Sequence, residues 1–390
     1  MEIIHLILGK ANPERMNGVN KVVHEMATNQ VANGYPVQVW GITAHPEHDY
    51  PERIFTTRLF RAYRNPFHID PSLKTAFLGY KSRIVVHIHG AFIPAFYSIS
   101  RFLHKNNIPF IITPHSTYNK VMMKKNAIRK KLYFRFFEKR LLDRSFSIHL
   151  LGKSEWRGLG DIYHNEKSVI LPYGFTRMEI KNPPDKAVRF SVVYCGRLAI
   201  YPKGLDILVK GFALFNQLHR DAQLILIGDG KDKAHLRELC RQLNIDASVT
   251  FTGSVFGKNK IRLLRECHVF AHPSRTDGIP ATIVEAASIG LPCVISDETN
   301  MGERVDRFDA GYTMKSLDEL EFARGLSMIN DRIMINGEGP ALEANAFSMI
   351  DADFNWPTIL RHFNNIYHKA LLSTTINWKR ITQLQPRRLF

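Results

Sequence analysis

Cysteine is scarce in this chain. Four occur in 390 residues, Cys195, Cys240, Cys267 and Cys293, and no two form a C-x-x-C pair. A disulfide framework is thereby excluded, and the thiols read as buried groups in a reducing compartment. Cys267, His268 and His272 are neighbours in sequence but lack the second ligand pair that a structural zinc site needs. No apolar run reaches transmembrane length. The first residues, MEIIHLILGK, place an acid at Glu2 and then a strand-like run, which is not the pattern of a signal peptide. Short-period repeats and low-complexity tracts are missing too. Acidic residues are in deficit: 36 Asp and Glu stand against 53 Lys and Arg, a formal charge of +17. The excess calls for an anionic partner (nucleotide, membrane surface or nucleic acid) without choosing among them.

What remains is ordinary globular material, 45% apolar and 23% charged, at a length that suggests two domains. Short apolar runs alternate with helix-like segments. In the first half, strands are expected at Ile3–Leu8, Val37–Ile42, Val85–His89 and Phe110–Thr113, with helices such as Lys21–Asn33 and Ala95–Asn106 between them. A Pro-rich, polar stretch from Leu171 to Phe190 reads as a linker. The alternation then restarts, with strands at Ser191–Cys195, Gln223–Ile227, Val249–Thr252, Val269–His272 and Pro292–Ser296. Helices Leu205–Leu218, Lys233–Leu243 and Lys258–Glu266 separate them. The pattern implies an α/β protein of two doubly wound, Rossmann-like domains facing a central cleft. The domains are placed at residues 1–172 and 186–354, with a return helix in 355–390 crossing back to the first.

The second half carries the chemistry. In YCGRLAIYPKG, Arg197 and Lys203 follow a strand, a position that suits a diphosphate, although two charges on a solvated loop give the same pattern. Gly228-Asp229-Gly230 ends the next strand and allows close backbone approach. Gly253, in FTGSVFGKNKI, faces a base edge or simply makes a strand-to-helix turn. In SRTDGIPATIVEAASIG, Pro280 stands where a helix can begin, so the amides from Ala281 to Ile283 are left to bind phosphate. Asp277 precedes that turn and Glu285 lies inside the helix. The first can accept hydrogen bonds from sugar hydroxyls and the second from a ribose diol. A helix-start acid and a solvated helix residue are the plain alternatives.

Taken in order, GRL, KG, IGDG, F-x-G and DGIP followed by V-E-A-A and G-L-P resemble the C-terminal domain of GT-B retaining glycosyltransferases of family 4. The E-x7-E motif of that family maps onto Asp277 and Glu285, with Asp in the first place where Glu is usual. MNGVNKVVHEMA resembles the family's first loop and helix, with Asn17 in place of the first glycine and Gly18 retained. VVHIHG and ITPHSTYN resemble its next strand ends. The resemblance implies transfer of a hexose from a nucleotide diphosphate sugar with retention, by a front-face route and without an essential metal or other cofactor. Arg197 and Lys203 would hold the phosphates, with Ala281 and Thr282 amides helping. Glu285 would hold the ribose and Asp277 the transferred sugar. Gly18, Gly253 and Ile279 complete the donor site, His115 lies near the reacting carbon, and His89 is packed or on the acceptor side. Asp351-Ala352-Asp353 is read as a surface loop rather than a metal-diphosphate motif.

One segment remains. Lys120 to Arg144 carries ten Lys or Arg, with Ile128, Leu132, Tyr133, Phe136, Phe137, Leu141 and Leu142 as a helical stripe. Much of the stripe is expected in the core. Lys120 to Lys131, helped by Lys379, Arg380, Arg387 and Arg388, is the candidate surface for anionic lipid. The whole reading is a cytoplasmic glycosyltransferase, with peripheral attachment at the inner face of the cell membrane, acting on a glycan or lipid-linked acceptor in bacterial surface polysaccharide assembly. A GT-B nucleotide-sugar epimerase is the alternative within the fold. A nucleic-acid-binding protein ranks last, because no interleaved aromatic and basic recognition module is present.

Overall fold

The computed structural model describes residues 1–13, 18–80, 83–124, 126–176 and 184–375. The chain divides into two units, Met1–Gly174 with Trp356–Phe390, and Phe175–Asn355.

The first unit is built on seven parallel strands: β1 (Glu2–Leu8), β2 (Val37–Thr43), β3 (Thr56–Arg61), β4 (Ile84–His89), β5 (Phe110–Thr113), β6 (Ser147–Leu150) and β7 (Ser168–Ile170). Their spatial order is 3-2-1-4-5-6-7, so the direction of winding reverses between β1 and β4. Because side chains alternate across a strand, one residue run feeds two cores. Ile4 and Leu6 pack with Trp40, Phe60 and Phe77 on one face. Ile3 and Ile7 pack with Val23, Met26 and Phe363 on the other. Burial on both faces explains why β1 reads as a nearly continuous apolar run.

The helix Trp356–Thr375 closes that second face. Trp356, Ile359, Leu360, Phe363, Tyr367 and Ala370 form its buried stripe, at the three- and four-residue spacing of an amphipathic helix. The expected return helix is therefore present as far as Thr375. The basic residues from Lys379 onward, like Asn17 and Lys125, lie outside the described residues.

The second unit has six parallel strands: β8 (Ser191–Cys195), β9 (Gln223–Ile227), β10 (Val249–Gly253), β11 (Val269–His272), β12 (Cys293–Ser296) and β13 (Gly311–Met314). Their order is 10-9-8-11-12-13, with the reversal between β8 and β11. Val192 and Tyr194 face one core while Val193 faces the other. The small residues of the helix Ala281–Ser288 have a packing cause. Ala286 and Ala287 are fully buried and share a cluster with Ala346, Met349 and Ile350 of the helix Gly339–Asp353.

Several expectations are corrected. Four strands, β3, β6, β7 and β13, went unread. Asp351-Ala352-Asp353 is the last turn of a helix, not a loop, and Asp353 accepts hydrogen bonds from Arg304 at 2.9 Å and from Arg307. The basic segment is not one helix. It breaks into Lys120–Lys124, Ala127–Tyr133 and Lys139–Arg144, with a π-turn at Phe134–Glu138. Leu141 and Leu142 enter the core, but Ile128 is 77% exposed, Leu132 53% and Phe136 50%.

Candidate functional site

In the second unit the carboxyl end of β8 leads through a short loop into the helical turn Ile200–Lys203, which delivers Lys203. Gly204 turns there at φ +64°, and a Cβ would sit 1.8 Å from the Pro273 carbonyl oxygen. Only glycine lets the Lys203 loop lie against the loop after β11. Lys203 Nζ consequently meets Asp277 Oδ2 at 2.6 Å. His272, the last residue of β11, donates from Nε2 to the same oxygen at 3.0 Å. Tyr194 stacks on the His272 ring, with centroids 5.5 Å apart. Burial pushes the Asp277 carboxyl upward, but His272 and Lys203 outweigh it and hold the group at about 2. Asn300 donates to the Asp277 and Gly278 carbonyls and fixes the turn.

The helix after that turn starts at Ala281, with Pro280 in extended conformation as its N-cap and no side chain capping it. The Ile283 amide is taken by the Pro280 carbonyl at 3.0 Å. Of the three amides expected to be free, those of Ala281 and Thr282 remain for an anion, and that of Ile283 does not. Ile279 packs partly buried against the core under this helix. Glu285, one turn on, pairs with Lys260 at 2.6 Å, with only 13% and 16% of the side chains exposed. Lys260, from the helix Gly257–Glu266, was not singled out from the sequence. Nothing local distinguishes it from its neighbour Lys258.

The other expected donor residues are placed as follows. Arg197 is exposed, on the loop leaving β8. Gly253 ends β10 at φ +75° with open space around it. Gly228 does not leave room for a ligand. A Cβ there would meet the Gly196 carbonyl oxygen at 1.9 Å, so its bareness serves the packing of two strand ends.

In the first unit, Gly18 opens the helix Gly18–Ala32. His115 follows β5 in the left-handed region at φ +54°, and Ser116 repeats it at +62°. Two consecutive non-glycine residues there mark a loop held by its surroundings. Beneath it lies Glu155, buried in the helix Lys153–Gly160, whose Oε2 accepts from the Leu151 amide at 3.4 Å; burial raises the carboxyl to about 7, opposed by the backbone amides of Leu151 and of Ser116 to Tyr118. Sequence reading missed Glu155 because its partners are backbone amides.

His89 is not an acceptor-side surface group. It is 2% exposed, with Nε2 2.9 Å from His5 Nδ1 and Nδ1 3.1 Å from His115 Nε2. His5 and His87 are register partners on β1 and β4, and His87 and His89 are two residues apart on one face. Three histidines thus share the switch point of the sheet. Their ligand atoms lie within 4.8 Å, a grouping able to hold a metal. Two nitrogens at about 2.0–2.1 Å on a tetrahedral ion stand roughly 3.4 Å apart, and the 2.9 Å between His5 and His89 is shorter. Every ring nitrogen of the three is already hydrogen-bonded within the protein. The arrangement is a hydrogen-bond network, and a metal would have to dismantle it.

Two parallel sheets, each in Rossmann-like order, are the architecture of the GT-B class. Comparisons agree. A family model described as glycosyl transferases group 1 matches residues 189–331, and one described as glycosyltransferase family 4 matches residues 16–155. The chain belongs to this family, the GT-B glycosyltransferases of group 1 and family 4. An uncharacterized glycosyltransferase of Methanocaldococcus jannaschii is 28% identical over 213 residues, 51% of this chain and 50% of that one. The chain spans about half the length of the curated relatives it matches. HepE of Anabaena, solved with UDP and glucose, superposes with a TM-score of 0.66 at 16% identity, covering 94% of this chain and 99% of that one. The lipopolysaccharide outer core galactosyltransferase WaaB gives a TM-score of 0.64 at 16% identity, over 94% and 99%. At that identity the structures establish the fold.

Proposed function

We propose that this protein transfers a hexose from a nucleotide diphosphate sugar to a hydroxyl of a glycan acceptor, with retention at the anomeric carbon and without a resident metal. The observation that carries the reading is the uncapped start of the helix at Ala281, with Lys203, Asp277 and His272 assembled immediately before it. A leaving diphosphate needs preorganised positive charge and amide donors. The Ala281 and Thr282 amides and Lys203 supply both, and Arg197, exposed on the adjoining loop, is free to swing onto the phosphates. Glu285 holds the ribose diol, oriented by Lys260. Asp277 accepts from hydroxyls of the transferred sugar, and binding transfers Lys203 from that carboxylate to phosphate. His115, just after β5 in the first unit, accepts a hydrogen bond from a substrate hydroxyl. HepE's complex with UDP and glucose supports a nucleotide sugar as donor.

The acceptor is proposed to be lipid-linked, in assembly of a bacterial surface polysaccharide such as lipopolysaccharide. WaaB supports that setting. So does the exposed row of Ile128, Leu132 and Phe136 among Arg129, Lys131, Arg135 and Lys139, which suits an anionic cytoplasmic membrane face. Among the described residues no helix is long and apolar enough to cross a membrane.

The test is a screen of nucleotide diphosphates for thermal stabilisation. Nucleotide sugars are then assayed for slow hydrolysis and for transfer to lipid-extract acceptors, and the product's anomeric configuration is read by NMR. An inverted product removes the retaining mechanism. Interconversion of nucleotide sugars without acceptor would replace transfer by epimerisation.

A further inference from the structure

The histidines of the first unit do more than pack. Burial pushes His5 and His149 down to about 4 and His115 to about 3, and burial with the neighbouring imidazoles holds His87 and His89 well below the ordinary histidine range. Each ring is therefore neutral at physiological pH and carries one proton. The direction of every hydrogen bond among them can then be read from groups that have only one role.

The Leu171 carbonyl can only accept, so His149 donates to it from Nε2 at 2.7 Å. His149 Nδ1 is then an acceptor, and the Thr113 hydroxyl donates to it at 2.7 Å. Thr113 has spent its proton and accepts from His87 Nε2 at 2.6 Å. His87 Nδ1 in turn accepts from the Tyr367 hydroxyl at 2.8 Å. Burial drives the Tyr367 phenol far above its ordinary range, so it keeps its proton and donates it to His87. Gln30 turns Oε1 to His5 and accepts from Nε2 at 2.6 Å. His5 Nδ1 must accept from His89 Nε2 at 2.9 Å, and His89 Nδ1 must accept from His115 Nε2 at 3.1 Å. Turning the Gln30 amide over would set N–H against N–H at His5.

We infer that a one-way hydrogen-bond chain that starts at the Gln30 amide oxygen and runs through His5 and His89 fixes His115 as the Nε2–H tautomer, so that Nδ1 is held as an acceptor. Among the described residues no protein group bonds that nitrogen, and the ring is partly exposed. His115 thereby takes a hydrogen bond from a ligand hydroxyl and gives none to a phosphate oxygen. Gln30, His5 and His89 are positioning residues. The ligand part rests on the transferase reading above; the tautomer does not.

Histidine-15N-labelled full-length protein, without substrate, tests it through long-range proton–nitrogen correlations, His115 being identified by its loss in His115→Gln. The expected result is a protonated Nε2 and a bare Nδ1. Gln30→Met, close in shape but without donor or acceptor, should let His115 sample both tautomers. It should lower kcat for sugar transfer by about two- to tenfold, the worth of one hydrogen bond, with KM nearly unchanged. Gln30→Glu keeps an acceptor for His5 and should restore the wild-type spectrum. A protonated Nδ1 in the unaltered protein overturns the proposal, as does an unchanged spectrum in Gln30→Met. Should Gln30→Met fail to fold, the wild-type spectrum alone decides. A confirmed tautomer with no turnover of any nucleotide sugar would sink the function and leave the chain standing.

Discussion

Lys203 Nζ stands 2.6 Å from Asp277 Oδ2, and His272 Nε2 reaches the same oxygen at 3.0 Å. One carboxylate oxygen is shared by an ammonium and an imidazole N–H, in a loop that leads straight into a helix N-terminus.

That sharing depresses Asp277 from 3.8 to about 2 despite burial. A depressed folded-state value means the stabilisation is complete above about pH 4 and is lost as pH falls towards 2. The difference corresponds to about 2 kcal/mol at neutral pH. Asp277→Asn should lower the opening free energy of β8 and β11 amides in hydrogen exchange by about that amount at pH 7 and abolish sugar transfer. An unchanged exchange rate would show that Lys203 and His272 contribute nothing net.

Glu285 and Lys260 form the second nearly buried pair. Glu285→Gln removes a charged acceptor from the ribose and strands the Lys260 ammonium. KM for the nucleotide sugar should rise about ten- to a hundredfold, the usual worth of a hydrogen bond to a charged group. Deoxygenation of the donor ribose should cost the wild type far more than the variant. Equal losses in both would remove Glu285 from ribose recognition.

Five buried neutral histidines make the first unit acid-sensitive. The unfolded chain takes up protons near 6.5, whereas folded His5, His115 and His149 wait until about 4, 3 and 4. Stability is full above about pH 6.5 and is lost as pH falls below it. Trp40, Trp156 and Trp356 lie in the first unit and the second contains no tryptophan, so urea unfolding followed by tryptophan emission isolates the effect. The midpoint should drop steadily from pH 7 to 5; a flat profile would contradict neutral burial.

How much of this was legible in advance follows from how each feature is encoded. The central strands announced themselves because burial on both faces needs continuous apolar runs, as in Ile84–His89 and Val269–His272. The strands that escaped are three to six residues long and lie toward the sheet margins: β3 mixes Thr and Arg with Leu and Phe, and β7 spans three residues. The uncapped helix start at Ala281 and both acids of the motif could be read locally, because helix-start chemistry and spacing are local. Their partners could not. Lys260 and His272 reach Glu285 and Asp277 through tertiary packing. The histidine chain had one visible sign, His87 and His89 at strand period two in a buried run. Its other members, Gln30, Thr113 and Tyr367, are ordinary residues until the fold brings them together. The π-turn at Phe134–Glu138 shifts the helical phase, which is why Phe136 emerges to solvent where a regular stripe would have hidden it.

That emergence is testable. Leu132→Glu and Phe136→Glu remove exposed apolar surface, so thermal stability should change by no more than about 0.5 kcal/mol. Sedimentation with vesicles containing anionic phospholipid should fall sharply for both, and wild-type binding should weaken with salt. Equal sedimentation with neutral and anionic vesicles would remove the membrane from the proposal.

The helix Trp356–Thr375 has a consequence for biogenesis. It walls one side of the first core and supplies Tyr367 to the buried chain, yet it is the last described element to be synthesised. On the ribosome the amino-terminal sheet must wait, one hydrophobic flank open, while the entire second unit is translated. Chaperone dependence during synthesis should therefore fall on the earlier-made unit, and a fragment ending at Gly174 should aggregate where residues 175–355 alone stay in solution.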